Sequence, residues 1–274
     1  MKQEDISSQN SEFWDELCGS HLAKYLGVTD SSVASLKKFD DWYFDFYPYL
    51  FTHIPFGELG NQHVLEVGLG YGTVSQRLAE AGAIYTGLDI AAGPVAMANH
   101  RLEQAGLDGH ALQGSILEPA FEPESFDAII AIGCLHHTGN LKLAIERCWT
   151  LLRPGGVLIF MVYYAYSYRR LRMAPKTTAL HFLKELVGYR GVVGSSAERE
   201  RAAYDAASSG VGAPHTDWIS MRSLKRHCHQ FSRFSAKLEN IDQERPFASR
   251  KRVELLKSRW PGIMGLDLYA TAKK

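Results

Sequence analysis

Apolar and polar positions follow two different periods through the middle of the chain. Short apolar runs predict strands near 63–68, 84–89, 110–114, 127–133 and 156–163. Between them, a helical period predicts helices over 72–82, 94–106 and 140–152. Strands that alternate with helices form a parallel sheet covered on both faces. The middle of the chain is therefore predicted to be an α/β domain with a doubly wound sheet.

The segments before this alternation have helical spacing without strands. Residues 1–10 are polar and are predicted to be loose, whereas 11–26 and 35–54 are predicted to be helical. The second segment is rich in aromatic residues, a pattern typical of packing against a core. Because it directly precedes the first strand, it could also cover the mouth of a crevice, with Tyr43 and Tyr47 on one helix face.

The alternation also ends after the strand at 156–163. Residues 164–230 contain many Arg, Ser, Ala, His and Gly residues, and this length exceeds that of a simple connection, which favours a substrate cap. Strand-like patterns return at 231–241 and 265–272. With no long helix between them, these two strands are predicted to pair antiparallel.

A glycine-rich turn links the first predicted strand to the helix that follows it. The segment reads Leu65-Glu66-Val67-Gly68-Leu69-Gly70-Tyr71-Gly72. Such a turn aims backbone N–H groups and the positive end of the helix into a crevice. The spacing G-x-G-x-G differs from the G-x-G-x-x-G of dinucleotide-binding folds, and Glu66 would repel a pyrophosphate. A ligand that carries an ammonium or sulfonium group suits it better.

An acidic residue ends the second predicted strand. Asp89 follows the apolar run Ile84–Leu88, one helix after the glycine-rich turn. In a βαβ unit an acid at this place can accept hydrogen bonds from the two hydroxyls of a ribose. The alternative interpretation is that Asp89 only caps the next helix, which begins near Pro94.

Composition and charge limit the class of protein and its predicted partners. The 274 residues are 46% hydrophobic and 22% charged, as in globular domains, and Lys+Arg and Asp+Glu both number 30. No overall charge attracts nucleic acid or an anionic membrane, so neither is a predicted partner. No C-x-x-C pair, signal peptide or long apolar run is found, which predicts a cytoplasmic location. The four cysteines are Cys18, Cys134, Cys148 and Cys228.

Taken in order, the motifs resemble the class I S-adenosylmethionine-dependent methyltransferases of the small-molecule type. They are Leu65–Gly72, Gly87–Ile90, Phe126–Ala131, Cys134–Thr138 and Leu152–Gly156. The resemblance is strong over 60–165 and looser over 231–272. It implies a seven-stranded, mostly parallel sheet of order 3-2-1-4-5-7-6 with the last strand antiparallel. The implied domains are an N-terminal helical segment, 1–58, over the site, and a Rossmann-like domain, 59–274, with 164–230 as a helical cap insertion.

The same resemblance implies S-adenosyl-L-methionine as cofactor and a set of residues that bind it. The turn and its neighbours would hold the methionine portion, Asp89 the ribose and Ile90 the adenine face. Ser115 stands where the family often has an acid, which implies a weaker contact to the adenine amino group. The full set is Tyr47, Glu66, Gly68, Leu69, Gly70, Thr73, Asp89, Ile90, Ser115, Ile116 and Gly133.

Candidate catalytic residues follow the fourth strand and lie in the cap. His136 and His137 are the first candidates for a base, with His137 preferred. Adjacent histidines are expected to point in different directions, and one of them could instead bond backbone to hold the loop. Tyr164 and His215 are further candidates, and Tyr204-Asp205 adds polar groups. No metal site is predicted, because the run 227–229 has no second ligand cluster.

The predicted activity is methyl transfer to an O or N atom of a small molecule, in specialised metabolism. Three arginines at 169, 170 and 172 could clamp a carboxylate or phosphate of the substrate, or form an exposed charged face. The alternatives are a C-methyltransferase acting on a quinone-like or lipid precursor, a nicotinamide-dependent oxidoreductase and a non-catalytic cofactor-binding protein. The oligomeric state is left open.

Overall fold

The computed structural model describes residues 2–16, 20–194 and 197–274, and Cys18 lies outside them. Its α-helices are α1 Gln3–Asp15, α2 Ser20–Leu26, α3 Val33–Phe46, α4 Leu50–His53, α5 Thr73–Glu80, α6 Ala92–Ala105, α7 Leu141–Leu151, α8 Tyr168–Met173, α9 Pro175–Leu186, α10 Glu198–Ala202, α11 Met221–His227, α12 Arg252–Lys257 and α13 Trp260–Met264. Short 3₁₀ turns span Phe56–Glu58 and Leu135–His137. Among these residues no helix is both long and apolar enough to cross a bilayer.

The strands form one sheet, and the predicted topology is confirmed. They are β1 His63–Val67, β2 Ile84–Asp89, β3 His110–Gln113, β4 Phe126–Ile132, β5 Leu152–Tyr164, β6 Val193–Gly194, β7 Asp217–Ile219, β8 Arg233–Glu239 and β9 Asp267–Lys273. Strands β3, β2, β1, β4 and β5 lie side by side and parallel, and β9 continues the sheet antiparallel to β5, with β8 outside it. Strands β8 and β9 are thus the predicted sixth and seventh strands.

Two short strands, β6 and β7, were not predicted. Strand β7 pairs parallel to β5 at Tyr163 and Tyr164, while β9 pairs with β5 at Tyr163 as well. A strand has two edges, so β7 lies on the edge that β4 occupies as far as Ile132. Part of the segment 164–230 therefore returns to the carboxyl end of β4, where ligands bind in sheets of this kind.

Side chains of β4 show how the sheet is buried on both faces. Ala128 and Ile130 belong to one cluster of buried apolar residues, which includes α5 side chains. Ile129 and Ala131 belong to the other, which includes α7 side chains. Alternate residues of a strand point to opposite faces, and both faces are covered here, so β4 reads as an uninterrupted apolar run.

The prediction that residues 1–10 are loose is wrong, because α1 begins at Gln3. The buried side chains of this helix are Ile6 and Asn10. Ile6 packs so tightly on Gly139 that a Cβ added there would lie 2.7 Å from Ile6 Cδ1. The amides of Gln3 and Asn10 donate to backbone carbonyls of the 3₁₀ turn region, at 2.7 Å each. A helix with so few apolar contacts gives almost no periodic signal in the sequence.

Candidate active site

A cavity of about 530 Å³ opens at the carboxyl ends of the central strands. All the residues predicted from the resemblance to bind cofactor line it: Tyr47, Glu66, Gly68, Leu69, Gly70, Thr73, Asp89, Ile90, Ser115, Ile116 and Gly133. Of the predicted catalytic residues, His137 lines the cavity, whereas His136, Tyr164 and His215 do not. Helices α1 and α3 add further wall through Asn10, Trp14 and Tyr43.

The glycine-rich turn has a backbone that only glycine adopts readily. Gly68, Gly70 and Gly72 have φ of 79°, 52° and 72°, values that a Cβ disfavours. At Gly68 there is also no room, since an added Cβ would lie 2.4 Å from Cys134 Cβ. Helix α5 begins directly after this turn, so its free N–H groups face the cavity.

Glu66 is a buried acid at the end of β1. Its Oε2 accepts hydrogen bonds from the hydroxyls of Ser75, at 2.6 Å, and Tyr85, at 2.7 Å. Burial raises the pKa of Glu66 to about 7, against the effect of these two bonds. A cation bound in the cavity would favour the ionised carboxylate, and would itself be held by it.

Asp89 is held by the backbone of two neighbouring turns. Its Oδ2 accepts the amide of Leu69, at 2.8 Å, and its Oδ1 accepts the amide of Ala91, at 3.0 Å. Burial raises the pKa of Asp89 above its usual value. The bond to Ala91 reaches the residue that precedes α6 and not the N–H groups of its first turn, so Asp89 is not a helix cap in the sense of the alternative interpretation. Each carboxylate oxygen has a second lone pair, which leaves acceptor capacity for a ribose.

The next turn, after β3, lies beside Asp89. Ser115 uses its hydroxyl to accept the amide of Leu117, at 3.2 Å. Ile116 is buried, and Ile90 keeps its carbonyl bonded to Ser11 Oγ, at 3.0 Å, and to Gln113 Nε2, at 3.0 Å. Because the Ser115 hydroxyl serves its own turn, a contact from it to a ligand would compete with that bond.

The carboxylate of Asp40 holds helix α3 over the glycine-rich turn. Asp40 accepts the hydroxyl of Thr73, at 2.6 Å, and two nitrogens of Arg101, at 2.8 and 2.9 Å. Phe39 of the same helix stacks on Tyr71 of the turn, with centroids 4.2 Å apart. Arg101 is almost fully buried, so this bidentate pair fixes α3 over α5 and α6.

His137 lies at the opposite corner of the cavity, which we call the acceptor corner, formed by His136, His137, Tyr163 and Asp205. Its Nδ1 donates to the carbonyl of His215, at 2.7 Å, and its Nε2 lies 3.4 Å from Asp205 Oδ2. The same Asp205 oxygen accepts the hydroxyl of Tyr163, at 2.8 Å. Asp205 appeared in the sequence only as a polar residue of the cap, and its pairing with His137 was missed.

The histidine rings do not diverge as expected. In the 3₁₀ turn the rings of His136 and His137 lie 4.2 Å apart, and the His136 ring lies equally close to Tyr163. His136 is fully buried, and burial lowers its pKa well below the usual value. Tyr164 packs on Tyr166 instead of the cavity.

The imidazole of His215 likewise lies away from the cavity lining. It pairs with Asp217, at 3.1 Å, as one interpretation of the sequence required. Its connection to the acceptor corner runs through its backbone carbonyl, which accepts from His137.

The arginines at 169, 170 and 172 do not reach the cavity. Arg169 and Arg172 pair with Glu244, and Arg170 pairs with Glu200, at 2.8 Å. The described residues that line the cavity include four acids and no lysine or arginine. The suggested clamp for a carboxylate or phosphate is therefore not found at this site. The four acids are Glu16, Glu66, Asp89 and Asp205.

Comparisons with known proteins match this geometry. Residues 65–160 match a family model described as a methyltransferase domain. A ubiquinone biosynthesis O-methyltransferase of Pseudomonas entomophila is 36% identical over 104 residues, 37% of this chain and 44% of that protein. The enzyme of the same name from Cronobacter sakazakii is 31% identical over 149 residues, 48% of this chain and 61% of that protein. The chain thus spans less than two thirds of these relatives.

Solved structures share the fold over most of the chain. A SAM-dependent methyltransferase from Methanosarcina mazei superposes with a TM-score of 0.53 at 16% identity, covering 83% of this chain and 97% of that one. Another from Mesorhizobium loti gives 0.52 at 16% identity, with the same coverage. These structures confirm the fold, and the family model confirms the resemblance to methyltransferases over residues 65–160.

Proposed function

Since residues 65–160 belong to the methyltransferase domain family, we propose that this protein transfers a methyl group from S-adenosylmethionine to an oxygen or nitrogen atom of a small molecule. One observation carries the proposal. The residues expected to hold the cofactor and the histidine expected to serve the acceptor line the same cavity, although they come from separate segments.

The charge of the cavity supports this cofactor over a dinucleotide. Glu66 and Asp89 face a ligand whose methionine portion carries an ammonium and a sulfonium group. A pyrophosphate at the same turn would meet these carboxylates with no lysine or arginine among the described lining residues to offset them. The cavity volume also lies within the ordinary range for small-molecule sites.

The acceptor is neutral or cationic by the same reasoning. An anionic acceptor would enter a wall that carries carboxylates, while the neighbouring arginines are already paired with Glu244 and Glu200. The acceptor corner is built in part from segments outside residues 65–160, so the match to the family model does not determine its specificity. Specialised metabolism stays the predicted setting of the acceptor.

Methyl transfer itself needs little covalent help from the protein. When bound, the cofactor would supply an activated methyl group: the bond from the acceptor atom to the methyl carbon would form as the S–CH₃ bond breaks, with the electron pair going to sulfur to give a neutral thioether. The proton of the acceptor would pass to His137, the candidate base that lines the cavity. The chain contributes alignment and exclusion of water. Gly133, directly after β4, lines the same cavity as the glycine-rich turn and His137.

The names of the curated relatives favour oxygen as the acceptor atom. Both relatives described above are called O-methyltransferases of ubiquinone biosynthesis. A hydroxyl acceptor also suits the acceptor corner, where the nitrogen and the oxygen that face each other are both hydrogen-bond acceptors. C-methylation of a quinone-like or lipid precursor remains the second candidate for the same cofactor site.

Two measurements test the proposal together. Calorimetric titration with S-adenosylmethionine is expected to show saturable binding that Asp89→Asn weakens about 10- to 100-fold, as loss of charged hydrogen bonds would. Asp108→Asn, at an exposed acid before β3, is the matched control and should bind normally. A metabolite extract with a deuterated methyl donor should then yield one compound with a single labelled methyl group. Binding of a nicotinamide cofactor instead would overturn the proposal.

A further inference from the structure

Two imidazoles and a carboxylate meet at the acceptor corner from segments far apart in sequence. His136 and His137 belong to the 3₁₀ turn after β4, and Asp205 follows α10. One ligand atom from each residue can be chosen so that all three atoms lie within 4.8 Å of one another. The sequence predicts no metal site, because spacing along the chain does not bring these three together.

The pair formed by His137 and Asp205 has the chemistry of two metal ligands. A carbonyl oxygen can only accept, so His137 Nδ1 carries the proton that it donates to His215. In the neutral ring Nε2 then presents a lone pair, and it faces a carboxylate oxygen 3.4 Å away. Two ligands at the corners of a tetrahedron about Zn²⁺, with bonds of about 2.0–2.1 Å, lie about 3.4 Å apart.

His136 supplies a third donor, whose ring also lies within weak hydrogen-bonding reach of the Met161 backbone. The residue is fully buried, and neither of its ring nitrogens makes a hydrogen bond of normal geometry. His137 Nε2 is likewise buried, and the polar atom that it faces is Asp205 Oδ2, at 3.4 Å. Buried polar atoms are nearly always satisfied, and each exception needs a physical reason such as an ion. Several unsatisfied nitrogens beside one carboxylate point to a cation.

Hydrogen bonds from neighbouring groups orient two of the three candidate ligands, as is common in metal sites. The His215 carbonyl orients the His137 ring, and the Tyr163 hydroxyl orients the Asp205 carboxylate at 2.8 Å. Metal-ligating histidines commonly donate their second ring nitrogen to a carbonyl or carboxylate. These two bonds are therefore a second observation, independent of the ligand distances, that favours a metal centre.

We propose that His136, His137 and Asp205 bind a divalent transition-metal ion of the Zn²⁺ type. Three protein ligands leave a coordination position open, and His137 and Asp205 line the cavity, so the open position faces it. An oxygen of the acceptor would bind there, where the ion lowers the pKa of a hydroxyl. Only this last step rests on the proposed methyl transfer.

Metal binding can be measured without knowing the acceptor. Protein stripped by chelator is titrated with Zn²⁺ in a calorimeter and with Co²⁺ by visible absorption. Wild type should bind one equivalent, and Co²⁺ should show the intense bands of a four-coordinate site. Asp205→Asn and His136→Gln should each weaken Zn²⁺ binding at least tenfold. The matched control is His53→Gln, which removes one member of a His–carboxylate pair elsewhere, His53 with Glu239 at 3.1 Å.

The outcomes separate this inference from the proposed function. Titration with S-adenosylmethionine on the same samples, with circular dichroism, shows whether each variant is folded. Absence of Zn²⁺ binding by folded wild type overturns the metal site, and so does equal binding by wild type and Asp205→Asn. In either case His137 would return to the role of a base. Zn²⁺ bound in protein that does not bind the methyl donor would support the metal site and remove the proposed methyl transfer.

Discussion

The two ends of the cavity are built in different ways. The cofactor end is built mainly from one stretch, in which β1, the glycine-rich turn and β2 follow each other, with α3 packed on the turn through Asp40 and Phe39. Its geometry depends on backbone torsions and on the amides bound to Asp89. The acceptor corner is assembled from the turn after β4, the end of β5 and the segment after α10, and Asn10 of α1 binds His137 backbone.

This difference matches where the family likeness lies. The methyltransferase family model covers 65–160, which contains the cofactor end and His137 but not Tyr163, Asp205 or Asn10. The part of this chain that matches the family model consists of contiguous motifs. The acceptor corner instead depends on contacts between segments that lie far apart in the sequence and have no fixed spacing. A variant that changes one end and leaves the other unchanged would show that the two ends are independent, and a variant that changes both would show that they are coupled.

The largest effect is expected at Asp40, which ties α3 to the cofactor end. Asp40→Ala leaves the buried guanidinium of Arg101 without its carboxylate. Breaking such a pair destabilises a protein by about 3–5 kcal/mol, measured as the free energy of unfolding in urea. Asp41→Ala is the matched control, since its pair with Lys37 is exposed and worth at most about 1 kcal/mol. If the two variants lost equal amounts of unfolding free energy, the pair of Asp40 with Arg101 would not be what holds α3 on the cofactor end.

A second large effect is expected at the first glycine of the turn. Gly68→Ala places a Cβ at positive φ and against Cys134, for a combined cost of about 2–5 kcal/mol. Binding of S-adenosylmethionine, measured by calorimetry, should be lost as well. Gly106→Ala is the control, because its φ is +64° and an added Cβ meets nothing within 4 Å. Retained binding by Gly68→Ala would show that the backbone does not set the cofactor end.

The sequence predicts the cofactor end better than the acceptor corner. Sheet order, the glycine-rich turn and Asp89 follow from local pattern and from the resemblance. The pairing of His137 with Asp205 does not, because it depends on β7 returning to the end of β4. Only the part of α1 before residue 11 escaped prediction, since Ile6 and the amides of Gln3 and Asn10 are its main contacts. Tertiary contacts of this kind carry no periodic signal.

Glu66, at the cofactor end, is expected to make the free energy of unfolding depend on pH. Its folded pKa, about 7, lies above the ordinary 4.5, so the folded state holds this proton more tightly. The contribution to stability is complete below pH 4.5 and is lost as pH rises to 7, by about 3 kcal/mol. Glu66→Gln should remove that part of the pH dependence of unfolding. The comparison with wild type is needed because burial also raises the pKa of Asp267 to about 7.

The cofactor should act on Glu66 in the opposite direction. A cationic ligand favours the ionised carboxylate, so S-adenosylmethionine binding should release a proton near pH 6 and should tighten as pH rises. Calorimetry in two buffers of different ionisation enthalpy measures this release. Glu66→Gln should show none of it, and an unchanged release would place the proton on another group.

The smallest effect is expected at Asn10, which joins α1 to the acceptor corner. Asn10→Ala removes the buried bond to the His137 carbonyl and should lower the free energy of unfolding by about 1 kcal/mol. Gln3→Ala, whose bond to the Thr138 carbonyl is exposed, is the control and should cost less. Affinity for S-adenosylmethionine should stay the same in both, because neither side chain touches the turn or Asp89. A fall in that affinity for Asn10→Ala alone would mean that the acceptor corner acts on the cofactor end through α1, whose Ser11 Oγ donates to the Ile90 carbonyl at 3.0 Å.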